Sequence, residues 1–132
     1  MLDIFSSLWP RIIAPEHWPG RIFFKDRLNA ILLIAGGLLA LGQWLMMIWQ
    51  VRPTADVLPL HYNIFFGVDY VGQWYQAYYA PLLSVVIFGV NLLVAMIFYK
   101  REKNLSHLIL SATVFLMLLS SIAALNIIFL VS

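Results

Sequence analysis

The residues best suited to chemistry lie in one stretch, LPLHYNIFFGVDYVGQWYQ, between two long apolar segments. It contains His61, Asn63 and Asp69. A histidine beside a carboxylate is the arrangement of a general base and its orienting group, so a membrane enzyme using His61 and Asp69 is one hypothesis. The stretch has no Ser or Cys nucleophile, and a metal needs three or four ligands. We therefore expect no catalytic residue, metal or cofactor, and expect His61 and Asn63 to cap turns or bond to loop backbone.

The composition indicates a protein partly surrounded by lipid. Of the 132 residues, 63% are hydrophobic and only 11% are charged, against about 25% charged in an ordinary soluble domain. A soluble fold of this size keeps too much surface in water to hide so many apolar side chains. The net charge of +2 gives no reason to expect a nucleic-acid partner. Cysteine is missing from the sequence, which excludes disulfides and thiolate ligands.

Three segments without Asp, Glu, Lys or Arg are long enough to cross a bilayer. They cover residues 28–49, 77–99 and 105–131. About 20 helical residues span roughly 30 Å of hydrocarbon, and peptide groups in lipid must be satisfied within their own element. The sequence therefore predicts an all-α integral membrane protein with three transmembrane helices in a single domain, residues 1–132.

Basic residues indicate the direction of these helices. Seven of the eight Lys and Arg lie in residues 1–27 or in the turn 100–104, and only Arg52 lies in the loop 50–76. Because Lys and Arg favour the cytoplasmic side, we expect the N-terminus and the turn inside and the loop outside. The C-terminus is then extracytoplasmic, in a multi-pass protein of the plasma (inner) membrane.

The N-terminal arm, residues 1–27, combines short apolar pieces with basic side chains. Apolar residues recur at helical spacing near its start, but three prolines prevent one continuous helix. This pattern is typical of a segment lying in the headgroup layer. The alternative is a docking arm for a cytoplasmic partner.

Small and polar residues within the apolar segments are candidates for helix packing, because lipid provides no hydrophobic drive between helices. The first segment has Gly36 and Ala40 at small-xxx-small spacing, a face suited to self-association, and the third has Ser120 and Ala124. Gln43 is an amide inside the first segment. It is expected to bond to a neighbouring helix or to a second copy of the chain.

The short turn between the second and third segments predicts a tight antiparallel helical hairpin. Residues equally far from Glu102 then lie at equal depth, so Asn91 is level with Thr113 and Ser84 with Ser120. Within each helix the two polar residues are seven positions apart, which is about two turns, so they lie on the same face. We expect two polar contacts between the helices. The alternative is that Ser and Thr bond to their own backbone four residues earlier.

The loop 50–76 has its own pattern. Alternating side chains around Tyr62 and a glycine at Gly67 predict a short β-hairpin. Trp74 begins an aromatic belt of the kind found at membrane boundaries. Phe65 and Phe66 fall at mid-loop, where an apolar tip either dips into the bilayer or covers a partner.

One motif in this loop resembles a known family. The motif consists of Pro59, His61, Tyr62 and Asn63, followed by Gly67 and Asp69. It is similar to the signature Pro-x-His-aromatic-Asn/Asp, then Gly and Asp, of a domain of unknown function in small bacterial membrane proteins. That domain also occurs in proteins similar to the SdpI-type bacteriocin-immunity family. The resemblance spans residues 59–69 and implies a bacterial protein in which these residues form the structured centre of an outward loop.

The function expected from these patterns is non-enzymatic. We expect an accessory, assembly or self-associating membrane subunit with an extracytoplasmic aromatic recognition loop. Its partners would be the lipid bilayer and a membrane protein or a second copy of the chain. The alternative is an immunity or sensor protein whose loop binds a secreted peptide or toxin.

Overall fold

The computed structural model describes residues 19–131, and most of the predicted interfacial arm therefore lies outside the described residues. The chain forms four α-helices, one short 3₁₀ helix and one pair of strands within this range. In chain order these are α1 (Pro19–Phe23), α2 (Arg27–Gln50), β1 (Leu58–Asn63), β2 (Gly67–Gly72), the 3₁₀ helix (Trp74–Tyr78), α3 (Tyr79–Phe98) and α4 (Lys103–Val131).

Three helical stretches are long and apolar enough to cross a membrane. They are Arg27–Gln50, Trp74–Phe98 and Lys103–Leu130. Most of their large apolar side chains are exposed, as expected for helices whose outer surface faces lipid. The prediction of three apolar helices is confirmed. The all-α prediction is wrong in one respect, because β1 and β2 form a two-stranded antiparallel sheet.

The helix α4 packs against both α2 and α3, which contact each other much less. Residues 99–102 connect α3 to α4, and the amides of Arg101 and Glu102 both donate to the carbonyl of Phe98 at 2.9 Å. Such a short connection brings consecutive helices together as antiparallel neighbours. We call the end of the bundle that carries this connection the turn end, and the opposite end the hairpin end.

Each end of the bundle has its own small apolar core. At the turn end, Phe23 from α1 is fully buried and packs with Ala95 and Leu110. Its backbone carbonyl accepts a hydrogen bond of 3.1 Å from the buried side chain of Asn29. The short helix α1 is thereby fixed beneath the three long helices. At the hairpin end, the core consists of Met47, Val51, Ala77, Ala124 and Ile128.

Candidate functional site

The β-hairpin, residues 58–72, is set by two local features of its turn. The side-chain oxygen of Asn63 accepts a hydrogen bond of 2.9 Å from the amide of Phe65. Gly67 has φ of 75°, a left-handed conformation that favours glycine. The predicted strand pair and the turn-capping role of Asn63 are therefore confirmed.

The register of the β-hairpin is irregular at its centre. Tyr62 pairs with Val68, and Pro59 pairs with Val71, but His61 pairs with Tyr70 between them. The shift before His61 is reversed directly after it, so the register is the same on both sides; local irregularities of this type bend a strand and redirect a side chain.

His61 bonds to a carboxylate and not to loop backbone, so the expectation for this residue is wrong. Its Nδ1 lies 2.6 Å from Oδ1 of Asp69, with 65% and 36% of the two side chains exposed. The short contact orients the imidazole and pairs two of the polar groups of the β-hairpin. Among residues 19–131, no group of three or more His, Cys, Asp or Glu side chains is placed to hold a metal ion.

The turn of the β-hairpin presents three consecutive large apolar side chains. Ile64, Phe65 and Phe66 are 82%, 86% and 82% exposed. We call these three residues the apolar tip. Because Asn63 and Gly67 fix the turn on either side, the tip is presented on a defined backbone and not on a long irregular loop.

The base of the β-hairpin rests on the helix ends. Leu58 and Leu60 pack against the core at the hairpin end, together with Trp74 and Tyr78 of the 3₁₀ helix. The hydroxyl of Tyr78 donates to the carbonyl of Val51 at 2.9 Å, which ties the end of α2 to this helix. A two-stranded sheet is marginally stable alone, and this packing stabilises it. Trp74 is thus partly buried in this packing.

The two polar pairs expected between α3 and α4 are brought together. Asn91 donates from Nδ2 to Oγ1 of Thr113 at 2.9 Å, and the hydroxyls of Ser84 and Ser120 are in contact. Thr113 and Ser84 also donate to the carbonyls four residues earlier in their own helices. Both alternatives therefore hold at once, since a hydroxyl can donate to its own helix and still accept from the neighbour.

Gln43 bonds to a neighbouring helix of its own chain. Its Nε2 lies 3.1 Å from the carbonyl of Met117 and 2.8 Å from the hydroxyl of Ser121, both on α4. Its amide is 3% exposed, and its Oε1 has no hydrogen-bond partner among the described residues.

The small residues of α2 are divided between two surfaces. Gly36 is buried, and a Cβ atom there would collide with the ring of Phe88 on α3. Part of the face predicted for self-association is therefore covered within the chain. Ala40 is half-buried, whereas Gly37 is exposed and has open space around it. Ala124 on α4 is buried in the core at the hairpin end.

A charged cluster at the turn end was missed from the sequence. It consists of Asp26, Tyr99, Lys103 and His107, which we call the Asp26 cluster. Asp26 caps α2 by accepting hydrogen bonds from the amides of Leu28 and Asn29 at 2.9 and 3.4 Å. An Asp directly before an apolar run is the sequence signal for such a cap, and its other partners could not be read from spacing.

The second oxygen of the Asp26 carboxylate joins the other two long helices. It accepts from the hydroxyl of Tyr99 at 2.8 Å and from Nζ of Lys103 at 2.7 Å. Its side chain is only 8% exposed. The hydrogen bond from Lys103, and to a lesser extent the one from Tyr99, hold the pKa of Asp26 well below its usual range. Burial and the contact with Asp26 raise the pKa of Tyr99. Nε2 of His107 lies 3.4 Å from the same oxygen and makes no hydrogen bond to any residue that the structure describes.

Comparison with known proteins gives no relative for this chain: no protein-family model, curated protein or solved structure matches it. The geometry of the β-hairpin and of the bundle is therefore the basis for a candidate function.

Proposed function

We propose that the chain is a non-enzymatic accessory or assembly subunit of a bacterial plasma membrane, and that its β-hairpin contacts a membrane-protein partner outside the cytoplasm. The observation that carries this proposal is the apolar tip. Three adjacent large side chains, each more than four-fifths exposed, are unusual on a surface unless another apolar surface covers them. A rigid turn also lowers the entropic cost of forming such a contact.

The rest of the β-hairpin supports a contact role over a catalytic one. His61 and Asp69 are paired with each other. The residues around them in the β-hairpin include no Ser, Thr or Cys to act as a nucleophile. Tyr70 and Val71 are both about half exposed, so the apolar surface extends beyond the tip. Aromatic side chains of this kind are enriched at the centres of protein interfaces.

The proposed orientation rests on charge. Lys25, Arg27 and Arg101 lie at the turn end, and the β-hairpin contains no Lys or Arg. With the basic end in the cytoplasm, the β-hairpin lies on the outer surface of the plasma membrane.

The second candidate is an immunity or sensor protein whose β-hairpin binds a secreted peptide or toxin. The observation favouring it is the motif from Pro59 to Asp69, which in this structure forms the centre of the β-hairpin and its turn. An accessory subunit keeps its partner throughout growth. An immunity protein gains one only when the peptide is present.

The test is purification of the chain from its native membranes in a mild detergent, followed by mass spectrometry. We expect a membrane protein in stoichiometric amount with the wild type and its loss from the double variant Phe65→Ser, Phe66→Ser. The control is Val57→Ser, which removes an exposed apolar side chain from the same loop but outside the tip. Circular dichroism checks that both variants keep their helices.

Three outcomes separate the possibilities. A partner retained equally by the tip variant would contradict the role of the tip. A chain isolated without any partner, unless a secreted peptide is added, would favour the immunity or sensor function. If the partner is a second copy of this chain, the result would favour a self-associating membrane protein.

A further inference from the structure

A cleft lies between the β-hairpin and the last turns of α4, on a different side of the β-hairpin from the apolar tip. Its volume is about 290 Å³. Its lining residues are Leu60, His61 and Tyr62 from β1, and Ala123, Asn126, Ile127 and Leu130 from α4. The lining is mainly apolar, and its polar groups are the side chains of His61 and Asn126 and the hydroxyl of Tyr62. A mostly apolar cleft with a few polar groups is the usual form of a small-molecule site.

The polar groups of this cleft can all accept a hydrogen bond, although the hydroxyl of Tyr62 can also donate one. An ionised carboxylate only accepts, so the 2.6 Å contact with Asp69 requires the proton on Nδ1 of His61. In the neutral imidazole, Nε2 is then an acceptor. Asn126 donates from Nδ2 to the carbonyl of Ile122 at 2.9 Å, which leaves Oδ1 as the free atom of that amide. The carboxylate of Asp69, which is bonded to the same imidazole, adds negative charge next to His61.

The cleft lies at the level of the lipid headgroups in the membrane. Helix α4 has 29 residues, about 43 Å at 1.5 Å per residue, whereas the hydrocarbon layer is roughly 30 Å thick. Its final turns therefore reach the headgroup layer. Ile122 and Phe129, which lie two turns apart on the face of α4 next to the cleft, are 56% and 76% exposed, as expected for a surface in contact with lipid.

We propose that this cleft binds a membrane phospholipid with a primary ammonium headgroup, its ammonium directed at His61 and Asn126 and its acyl chain passing Ala123 toward the bilayer centre. An ammonium donates to the two acceptors and is attracted by the carboxylate of Asp69. An anionic headgroup would meet that carboxylate with like charge. A choline headgroup carries the same positive charge but no N–H to donate, so the cleft distinguishes the two zwitterionic lipids.

The experiment measures lipid retention by the full chain. The protein is reconstituted into nanodiscs that contain ethanolamine and choline phospholipids with identical acyl chains in equal amounts. It is then released into detergent and analysed by native mass spectrometry. We expect the wild type to keep the ethanolamine lipid several-fold over the choline lipid. Because charge and chains match, this ratio reports hydrogen-bond donation by the headgroup.

Variants of the chain connect that ratio to the cleft. We expect His61→Phe and Asn126→Leu to bring the ratio close to one. Ala123→Phe, which fills the cleft, should reduce the retention of both lipids. His61→Gln keeps an acceptor and should retain part of the preference. Val71→Ala, in β2 and outside the cleft lining, is the control and should leave the ratio unchanged.

Two results would overturn the proposal. One is equal retention of the two lipids by the wild type. The other is an ethanolamine preference that persists in both His61→Phe and Ala123→Phe, because that preference would arise elsewhere on the protein. If His61→Phe does not fold, as judged by circular dichroism, the Asn126→Leu and Ala123→Phe results decide the question.

Discussion

Asp26 shows how much of this bundle depends on a single side chain. One carboxylate oxygen accepts from the first amides of α2, and the other accepts from Tyr99 after α3 and from Lys103 at the start of α4. A carboxylate with several donors and little exposure strongly favours its ionised form. The same geometry that lowers its pKa holds the turn ends of the three long helices together.

This arrangement predicts a specific pH dependence for Asp26→Asn. The pKa of Asp26 is depressed in the folded protein, so its stabilising contribution is complete above the unfolded value of about 3.9. It is lost progressively as the pH falls below about 4 toward the depressed pKa of the folded state. Asparagine is nearly as good a helix cap, so the variant mainly removes the charge. We expect a lower Tm than wild type at pH 7 and a smaller difference at pH 3.

Thermal unfolding of the purified proteins in one detergent, followed by circular dichroism at both pH values, measures this difference. Asp56→Asn is the control, since Asp56 is exposed in the loop before β1. A difference in Tm that is the same at pH 3 as at pH 7 would contradict the role assigned to the carboxylate charge.

At the scale of the elements, the packing of α2 on the other two helices depends on which of its faces carries small residues. Gly36 faces Phe88 so closely that a Cβ atom would collide with the ring, while Gly37 has nothing within 4 Å. These neighbouring glycines differ by about 100° around the helix axis. They therefore offer a matched comparison of an inner and an outer position.

We predict that Gly36→Leu destabilises the bundle and that Gly37→Leu does not. The first change forces a large side chain into the contact with Phe88, and overpacking of this kind costs about 1–3 kcal/mol. The second adds an apolar side chain to an exposed surface. Unfolding in mixed micelles with increasing denaturing detergent gives the two free energies. Equal stabilities for the two variants would mean that α2 is rotated differently in the bundle.

Much of the molecule follows from the sequence at the level of whole elements. Hydropathy and length identify the three helices because the bilayer fixes how long an apolar helix must be. The short turn after Tyr99 sets the relative depth of two helices, and the structure joins the same pairs, Asn91 with Thr113 and Ser84 with Ser120. Turn chemistry predicts the β-hairpin around Gly67.

The contacts between distant segments could not be predicted in the same way. Hydropathy does not fix the rotation of α2 about its axis, so the contact of Gly36 with Phe88 has no signal in a single sequence. Asp26 was recognisable as a helix cap, but its hydrogen bond to Tyr99 joins residues 73 positions apart. In the β-hairpin, the pairs on both sides of His61 follow a regular register that places it opposite Asp69, whereas the irregular pairing of His61 with Tyr70 is not revealed by an alternating pattern.

At the scale of the whole molecule, the proposed function requires three helices to cross the bilayer with the β-hairpin and the α3–α4 turn on opposite sides. The chain has no cysteine, so single cysteines can be introduced without removing any others. Ala55→Cys lies in the loop before β1, and Glu102→Cys lies in the turn. Both native side chains are exposed.

The most direct test is the labelling of these two variants in intact cells with a membrane-impermeant maleimide. We expect Ala55→Cys to be labelled without permeabilisation and Glu102→Cys only after the membrane is opened. Labelling of both cysteines from the same side would contradict the arrangement of the three helices, and with it the assignment of the β-hairpin to the outer surface.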